Sequence, residues 1–311
     1  MQLHEKAKAL SFRLFSALDT VDLHVLPKHY YSPVPDHTWL KRNRHLWSGR
    51  LELRGIQWNP DDQLRWINDI CGPYYNEVRG LEAFNNATGR EWGPGFGPIE
   101  SQVLHCAIRS VAPRRIVEIG SGISTACMLN ACKMNLREGQ TPTELVCIEP
   151  FPRPAFRRLI EGTRNVRHIA MPCQSAPLSL FDELQAGDIL FIDSSHSVKT
   201  GSDVVRIYLE ILPRLRPGIL IHIHDVYLPY AYPRDTLDTY FGWQETAFLA
   251  ALLTGNRGFM ICACLSGLHY DRRMELKNIL SDYDPQDDLD GLQAGTHGHF
   301  PSSLWLLTSS A

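Results

Sequence analysis

Arg115-Ile-Val-Glu-Ile-Gly-Ser-Gly-Ile-Ser-Thr125, followed by Glu144-Leu-Val-Cys-Ile-Glu149, is the stretch that decides the fold. Ile116, Val117 and Ile119 form a short apolar run of strand type, and Gly120 and Gly122 allow a sharp turn that brings backbone close to a ligand. The segment 124–136 then carries a helical pattern, and Glu144 to Glu149 a second strand tipped by an acid. Strand, glycine turn, helix and acid-tipped strand together describe the nucleotide-binding half of an open α/β sheet.

The two acids narrow the ligand. Glu118 stands two residues before the first glycine, where it repels a pyrophosphate and attracts the ammonium of an amino-acid tail. Glu149 is placed to accept hydrogen bonds from both ribose hydroxyls. The dinucleotide fingerprint asks for a small residue at the sixth position of G-x-G-x-x-G/A, and Thr125 occupies it. The ligand that wants both acids is S-adenosylmethionine, with Glu118, Gly120, Ser121, Gly122 and Glu149 as its expected contacts.

Working outward, the order on the C-terminal side is regular. Helix 99–111, strand 115–119, helix 124–136, strand 144–149, helix 153–161 and strands 166–171 and 188–193 are followed by helix 203–215 and strand 218–224. Alternation of this kind predicts a parallel sheet with helices on both faces. A helix 243–253, a strand 259–265, a further helix and a strand 303–308 complete it. On the N-terminal side the pattern is a helix over 2–18, a proline-rich extended segment 26–35, and a helix 60–78 that starts with Asn59 as N-cap and Pro60 at its first position. The glycine- and proline-rich stretch 93–98 marks the boundary. Two domains are therefore expected: residues 1–95 as an N-terminal cap and lid region, and 96–311 as the ligand-binding α/β domain.

Composition excludes some classes. With 311 residues and a net charge of −3, the chain can bury a large core and lacks the basic surplus that grips nucleic acid. No secretory signal or membrane span is visible, so a cytoplasmic protein is expected. Eight cysteines are scattered without a C-x-x-C pair. Cys262 and Cys264 fall on one face of their predicted strand, and all eight are expected as buried, reduced thiols.

Reading the strand ends, where ligands of open sheets bind, gives the candidate chemistry. Pro150 and Phe151 follow Glu149 and suit packing on an adenine; Gln174 or Ser175 follows the third strand and can meet the base edge. The fourth strand runs into Asp193 and His196, an acid and a histidine suited to proton abstraction, since imidazole titrates near neutrality and a carboxylate can orient it. The fifth ends in His224-Asp225. Asp193, His224 and Asp225 together are also a donor set for a hard divalent ion, while Asp225 as a loop cap and His222 as a satisfied core residue are the alternatives. Tyr30, Tyr31, Trp39 and Tyr227 are candidates for a lid over the substrate, facing a sulfonium by cation–π attraction, or for packing between cap and sheet.

Residues 99 to about 265 resemble the class I S-adenosylmethionine-dependent methyltransferases, in particular the small-molecule and sugar O-methyltransferases. The matching segments are Val117-Glu-Ile-Gly-Ser-Gly-Ile-Ser-Thr125, Cys147-Ile-Glu-Pro150, Leu190-Phe-Ile-Asp-Ser-Ser-His196 and Leu215-Arg-Pro-Gly-Ile-Leu-Ile-His-Ile-His-Asp225. The resemblance implies a Rossmann-like seven-strand sheet, mostly parallel with an antiparallel last strand. It also implies Asp193 and His196 beside the transferred methyl group. Metal-dependent relatives carry an acid pair after the fifth strand, and His224-Asp225 departs from it, which weakens the case for Mg²⁺. The activity implied is O-methylation of a small molecule or sugar hydroxyl, with His196, assisted by His224, as base. A lyase or cyclase acting on the cofactor's own amino-acid tail and a non-catalytic cofactor-binding module are the alternatives. The apolar helix 243–253 serves either the core or a homodimer contact.

Overall fold

The structure, a computed structural model, describes residues 2–23, 25–26, 30–88, 95–239, 241–286 and 298–310, with side chains from residue 10 onward. The chain divides into two compact units, Met1–Trp47 and Ser48–Ala311. The first holds helices α1 (Gln2–Asp19), α2 (His37–Arg42) and α3 (Arg44–Trp47). Asp36 caps α2 by accepting from the Thr38 and Trp39 N–H groups, which satisfies donors a helix start leaves open.

The second unit is built on a seven-stranded sheet: β1 (Arg115–Ile119), β2 (Glu144–Ile148), β3 (Val166–Ile169), β4 (Ile189–Ile192), β5 (Leu220–Ile223), β6 (Phe259–Cys264) and β7 (Leu304–Thr308). Their spatial order is β3-β2-β1-β4-β5-β7-β6, with β7 antiparallel to both its neighbours. This is the expected α/β sheet with a reversed last strand. Helices α4 (Pro60–Cys71), α5 (Glu82–Thr88), α6 (Pro98–Val111), α7 (Ile123–Arg137), α8 (Pro154–Ile160), α9 (Ser179–Asp182), α10 (Asp203–Arg206), α11 (Thr236–Thr239), α12 (Glu245–Leu253), α13 (Leu265–Asp271) and α14 (Arg273–Ile279) connect and cover it.

Two apolar layers sandwich the sheet. Ile116, Leu145, Phe191 and Trp305 face the layer containing residues of α4, α6 and α7; Val117, Val146, Leu190 and Ile221 face the layer that includes Val204, Ile207 and Leu249. Burial on both faces is why these strands read as continuous apolar runs rather than alternating ones.

Four expectations are corrected. The units divide at Trp47/Ser48, not near 95, because α4 packs on β6 and α6 of the sheet unit; residues 93 and 94 of the expected boundary lie outside the described residues. The helix from Pro60 stops at Cys71, where Pro73 cannot supply an N–H, and a separate turn follows at Tyr75–Glu77. The helix expected over 203–215 is regular only to Arg206, then widens over Ile207–Ile211 and tightens over Leu212–Arg214, around Pro213. A register shift between Ile261 and Ala263 puts Cys262 in one apolar layer and Cys264 in the other, not on one face. The eight cysteines are unpaired, and all but the half-buried Cys132 are buried. No helix among the described residues is long and apolar enough to cross a membrane.

Candidate active site

The chain lays β1, β2 and β3 in one direction across the sheet and then returns to place β4 on the other side of β1. At that reversal the connections leave in opposite directions and open a crevice. Its volume is about 320 Å³, and Gly120, Glu149, Pro150, Phe151, Gln174 and Asp193 are among its walls.

Gly120 requires its lack of a side chain. Its φ is +105°, and a Cβ there would stand 2.9 Å from the Asp193 carbonyl oxygen. The strand ends are drawn together because the Gly120 N–H donates to the Ile148 carbonyl at the end of β2 and the Asp193 N–H to the Ile119 carbonyl at the end of β1. Gly122 is extended, and a Cβ on it would meet no protein atom within 4 Å. The space above the turn is therefore left for a ligand. Ser121, between them, is half-buried and is not in the crevice wall.

Glu149 is half-buried in the crevice wall, with one carboxylate oxygen accepting from the Phe151 N–H at 2.7 Å. Phe151 is exposed at the rim. Ser175 faces solvent outside the crevice because the short turn Cys173–Ser175 rotates it away; Gln174 occupies the wall instead and donates to the Gly201 carbonyl.

Glu118 corrects the sequence reading most sharply. Its side chain is 0% exposed and lies on the α7 side of β1, where it accepts from Ser124 Oγ (2.6 Å), Thr125 Oγ1 (2.8 Å) and Cys147 Sγ (3.2 Å). Burial pushes its pKa up to about 7, against the hydrogen bonds that favour the charged form. It ties the start of α7 to β1 and β2 and is not presented to the crevice. Asp193, like Glu149, lines it.

Beyond β4 and β5 the structure gathers a cluster of titratable groups. His196 Nε2 lies 3.4 Å from Asp193 Oδ1 and 3.4 Å from Asp225 Oδ2, while its Nδ1 donates to Glu245 Oε2 at 2.8 Å. Burial opposes charge on this ring, yet Asp193, Glu245 and Asp225 outweigh it and raise its pKa well above the ordinary histidine value. Asp193 is correspondingly held low: burial would raise it, and His196 and His224 lower it. His196 itself has φ +56°, as Asp225 has φ +53°, left-handed conformations that a surrounding network must hold.

His224 is buried, with Nε2 3.7 Å from Asp225 Oδ1 and Nδ1 without a partner among the described residues. Its pKa is raised, burial being outweighed by Asp225, Asp193 and Glu100. His222 is core, as one expectation had it, but not satisfied: both ring nitrogens lack partners among the described residues, and its ring stacks on Phe191 at 4.2 Å. Burial drives its pKa far down, so it stays neutral. Tyr227 is an anchor rather than a lid, since it is buried and donates to Asp225 Oδ1 at 3.3 Å, beside Ser302 Oγ at 3.0 Å. Tyr30 and Tyr31 belong to the unit 1–47, where they are exposed and set edge to face, and Trp39 there is half-exposed.

Among the described residues, Asp193, His196 and Asp225 are the group whose ligand atoms lie within 4.8 Å of one another. His196, not His224, completes the set with the two acids. Glu245 and Ser302 were not singled out in the sequence. The signal for Glu245 was a lone acid opening an otherwise apolar helix, Glu245-Thr-Ala-Phe-Leu-Ala-Ala-Leu-Leu253.

Residues 117–226 match the family model described as a methyltransferase domain. An uncharacterized protein of Archaeoglobus fulgidus is 30% identical over 172 residues, which are 51% of this chain and 73% of the relative. Solved structures of similar form include a Staphylococcus aureus protein described as a candidate caffeoyl-CoA O-methyltransferase (14% identity, 64% of this chain and 91% of that one, TM-score 0.39). Another is a candidate methyltransferase from Thermobifida fusca (12% identity, 84% and 97%, TM-score 0.40). With the family match lying across the crevice and both groups of strand ends, the chain belongs to the methyltransferase-domain family and is an S-adenosylmethionine-dependent methyltransferase.

Proposed function

We propose that the protein O-methylates a small molecule or sugar hydroxyl, with His196 receiving the hydroxyl proton. The observation that carries this is one imidazole, at the crevice end of β4, fixed through Nδ1 by Glu245 with Nε2 directed between Asp193 and Asp225.

S-adenosylmethionine supplies a methyl group already activated on sulfur. The chain's part is to align, exclude water and move one proton, and alignment alone can contribute roughly 7–11 kcal/mol. Glu149 accepts the ribose hydroxyls, Pro150 and Phe151 flank the base, and Gln174 offers its amide to the base edge. With Glu118 buried, Asp193 takes the ammonium of the amino-acid tail, and the open space at Gly122 receives the tail itself. Asp193, once paired in this way, holds the His196 proton less tightly. The imidazole then returns toward its ordinary range, releases its Nε2 proton to solvent and can take up the hydroxyl proton, and the cofactor would supply the activated methyl group to the oxygen so freed.

The same three residues fit Mg²⁺ poorly. That ion demands oxygen ligands, and here one of the three donors is an imidazole carrying its proton toward two carboxylates. No step is assigned to a metal.

The test is product analysis. Incubation with S-adenosylmethionine and a panel of glycosides, catechols and simple alcohols should yield S-adenosylhomocysteine, unaffected by EDTA, and His196→Ala should slow turnover by on the order of 10²–10⁴-fold. Release of methylthioadenosine from the cofactor alone would instead establish the cyclase reading. Full activity of His196→Ala would remove the histidine from the mechanism.

A further inference from the structure

We infer that Glu245, the first residue of α12, is the positioning residue of the site: it fixes which nitrogen of His196 faces the reacting groups. The inference rests on the transfer reading given above, and it concerns a residue outside all four matching segments.

Glu245 is 1% exposed, and one of its oxygens does two things at once. Oε2 accepts from His196 Nδ1 at 2.8 Å and from Ser194 Oγ at 2.6 Å. Ser194 Oγ in turn accepts from the His196 N–H at 3.0 Å, so ring and backbone of the histidine are tied to the same carboxylate. The start of α12 holds the loop from a second side. The N–H groups of Gln244 and Glu245 donate to the His196 carbonyl at 3.0 and 3.2 Å, and Gln244 Oε1 accepts from the Val198 N–H at 3.1 Å. The Trp243 ring packs against the imidazole at 4.4 Å. A histidine at left-handed φ cannot choose its rotamer freely within this clasp. With Nδ1 committed to Glu245, Nε2 is the nitrogen left to face Asp193 and Asp225.

The arrangement separates two roles. The backbone bonds from Gln244 and Glu245 hold the loop whatever side chain stands at 245, whereas the carboxylate is what engages Nδ1 of the ring. Glu245→Gln therefore keeps the loop and weakens the ring's anchor from a charged to a neutral acceptor.

The experiment uses the whole protein. In proton NMR, the wild type should show a far-downfield imidazole Nδ1–H resonance, identified by its loss in His196→Asn. In Glu245→Gln it should shift upfield, while Glu245→Asp, which keeps the charge, should retain part of the displacement. With whichever hydroxyl acceptor turns over, Glu245→Gln should lower kcat on the order of 10²-fold and leave the KM for S-adenosylmethionine unchanged, because Glu149 and Gly120 are untouched. A wild type without the resonance, or a Glu245→Gln protein that keeps it unmoved, overturns the assignment. Failure of the methyl-transfer reading looks different: the resonance behaves as described, and none of the acceptors tested yields S-adenosylhomocysteine, whereas methylthioadenosine is released from the cofactor alone. If Glu245→Gln is lost to unfolding, Ser194→Ala gives the second arm: it should retain the Nδ1–H resonance, and its disappearance there would assign the ring's orientation to the loop instead.

Discussion

Gly120→Ala places a methyl group where β1 and β4 meet, and its effect follows from two distances. At φ +105° a residue with a side chain is strained, by of order 1–3 kcal/mol. The new Cβ would also stand 2.9 Å from the Asp193 carbonyl oxygen and 3.4 Å from the Asp193 Cβ. That oxygen is backbone and cannot swing aside. Relief requires the strand ends to part by roughly 0.5 Å to reach an ordinary carbon–oxygen contact, which pulls on the Asp193 N–H bond to Ile119. The total is a loss of about 2–4 kcal/mol in stability. Because Asp193 is also the crevice carboxylate, S-adenosylhomocysteine affinity should fall by at least ~10-fold, or ~1.4 kcal/mol. Urea unfolding measures the first and calorimetric titration the second. A Gly120→Ala protein with stability within about 0.5 kcal/mol of wild type and unaltered affinity would refute the account of how the turn and the crevice carboxylate Asp193 share one position.

Other outcomes follow from the same geometry. Glu149→Ala should weaken S-adenosylhomocysteine about 10–100-fold by calorimetry, the equivalent of hydrogen bonds to a charged group, with little change in urea midpoint because the side chain is half-buried at a rim. Glu118, raised by burial from 4.5 to about 7, keeps its proton in the folded state while the unfolded chain loses it. Its contribution is thus fully present below pH 4.5 and declines as pH rises to about 7, by about 3 kcal/mol in total; Glu118→Gln should gain on wild type between pH 5 and 8 in urea titrations, and parallel curves would contradict this. Glu77→Ala removes from the guanidinium of Arg109, 3% exposed, a carboxylate held at 2.8 and 3.0 Å, leaving it Glu138, Asn135 and the face of Tyr74 among the described residues; a loss of about 3 kcal/mol is expected from denaturant unfolding.

The sheet was legible because its causes are local. Strands buried on both faces must be apolar along their length, and a glycine must follow β1 where a side chain would strike β4. The position of the strand tips was legible for the same reason, since Asp193 directly follows β4 and Asp225 stands two residues after β5. What escaped depends on side-chain direction or on distant partners. Glu118 sits at the expected position, but alternation along β1 turns it to the face that α7 covers. Ser175 and Gln174 are adjacent, and only the handedness of a single turn decides which one meets the crevice. Glu245 is 49 residues from His196 in sequence, inside a helix whose apolar composition argues for core. The bulge that separates Cys262 from Cys264 is set by how β6 pairs with β7, which neither strand's own sequence announces.

The last strand in the chain order lies inside the sheet, wedged between β5 and β6. Until it arrives, a nascent chain carries two unzipped edges, and Asp225 lacks the Ser302 hydroxyl that reaches it from the approach to β7. The half built from β1 and β2 depends on none of this. On the function proposed above, folding prepares the nucleoside crevice well before it completes the group around Asp225, and a protein caught between those moments would grip its cofactor while remaining idle.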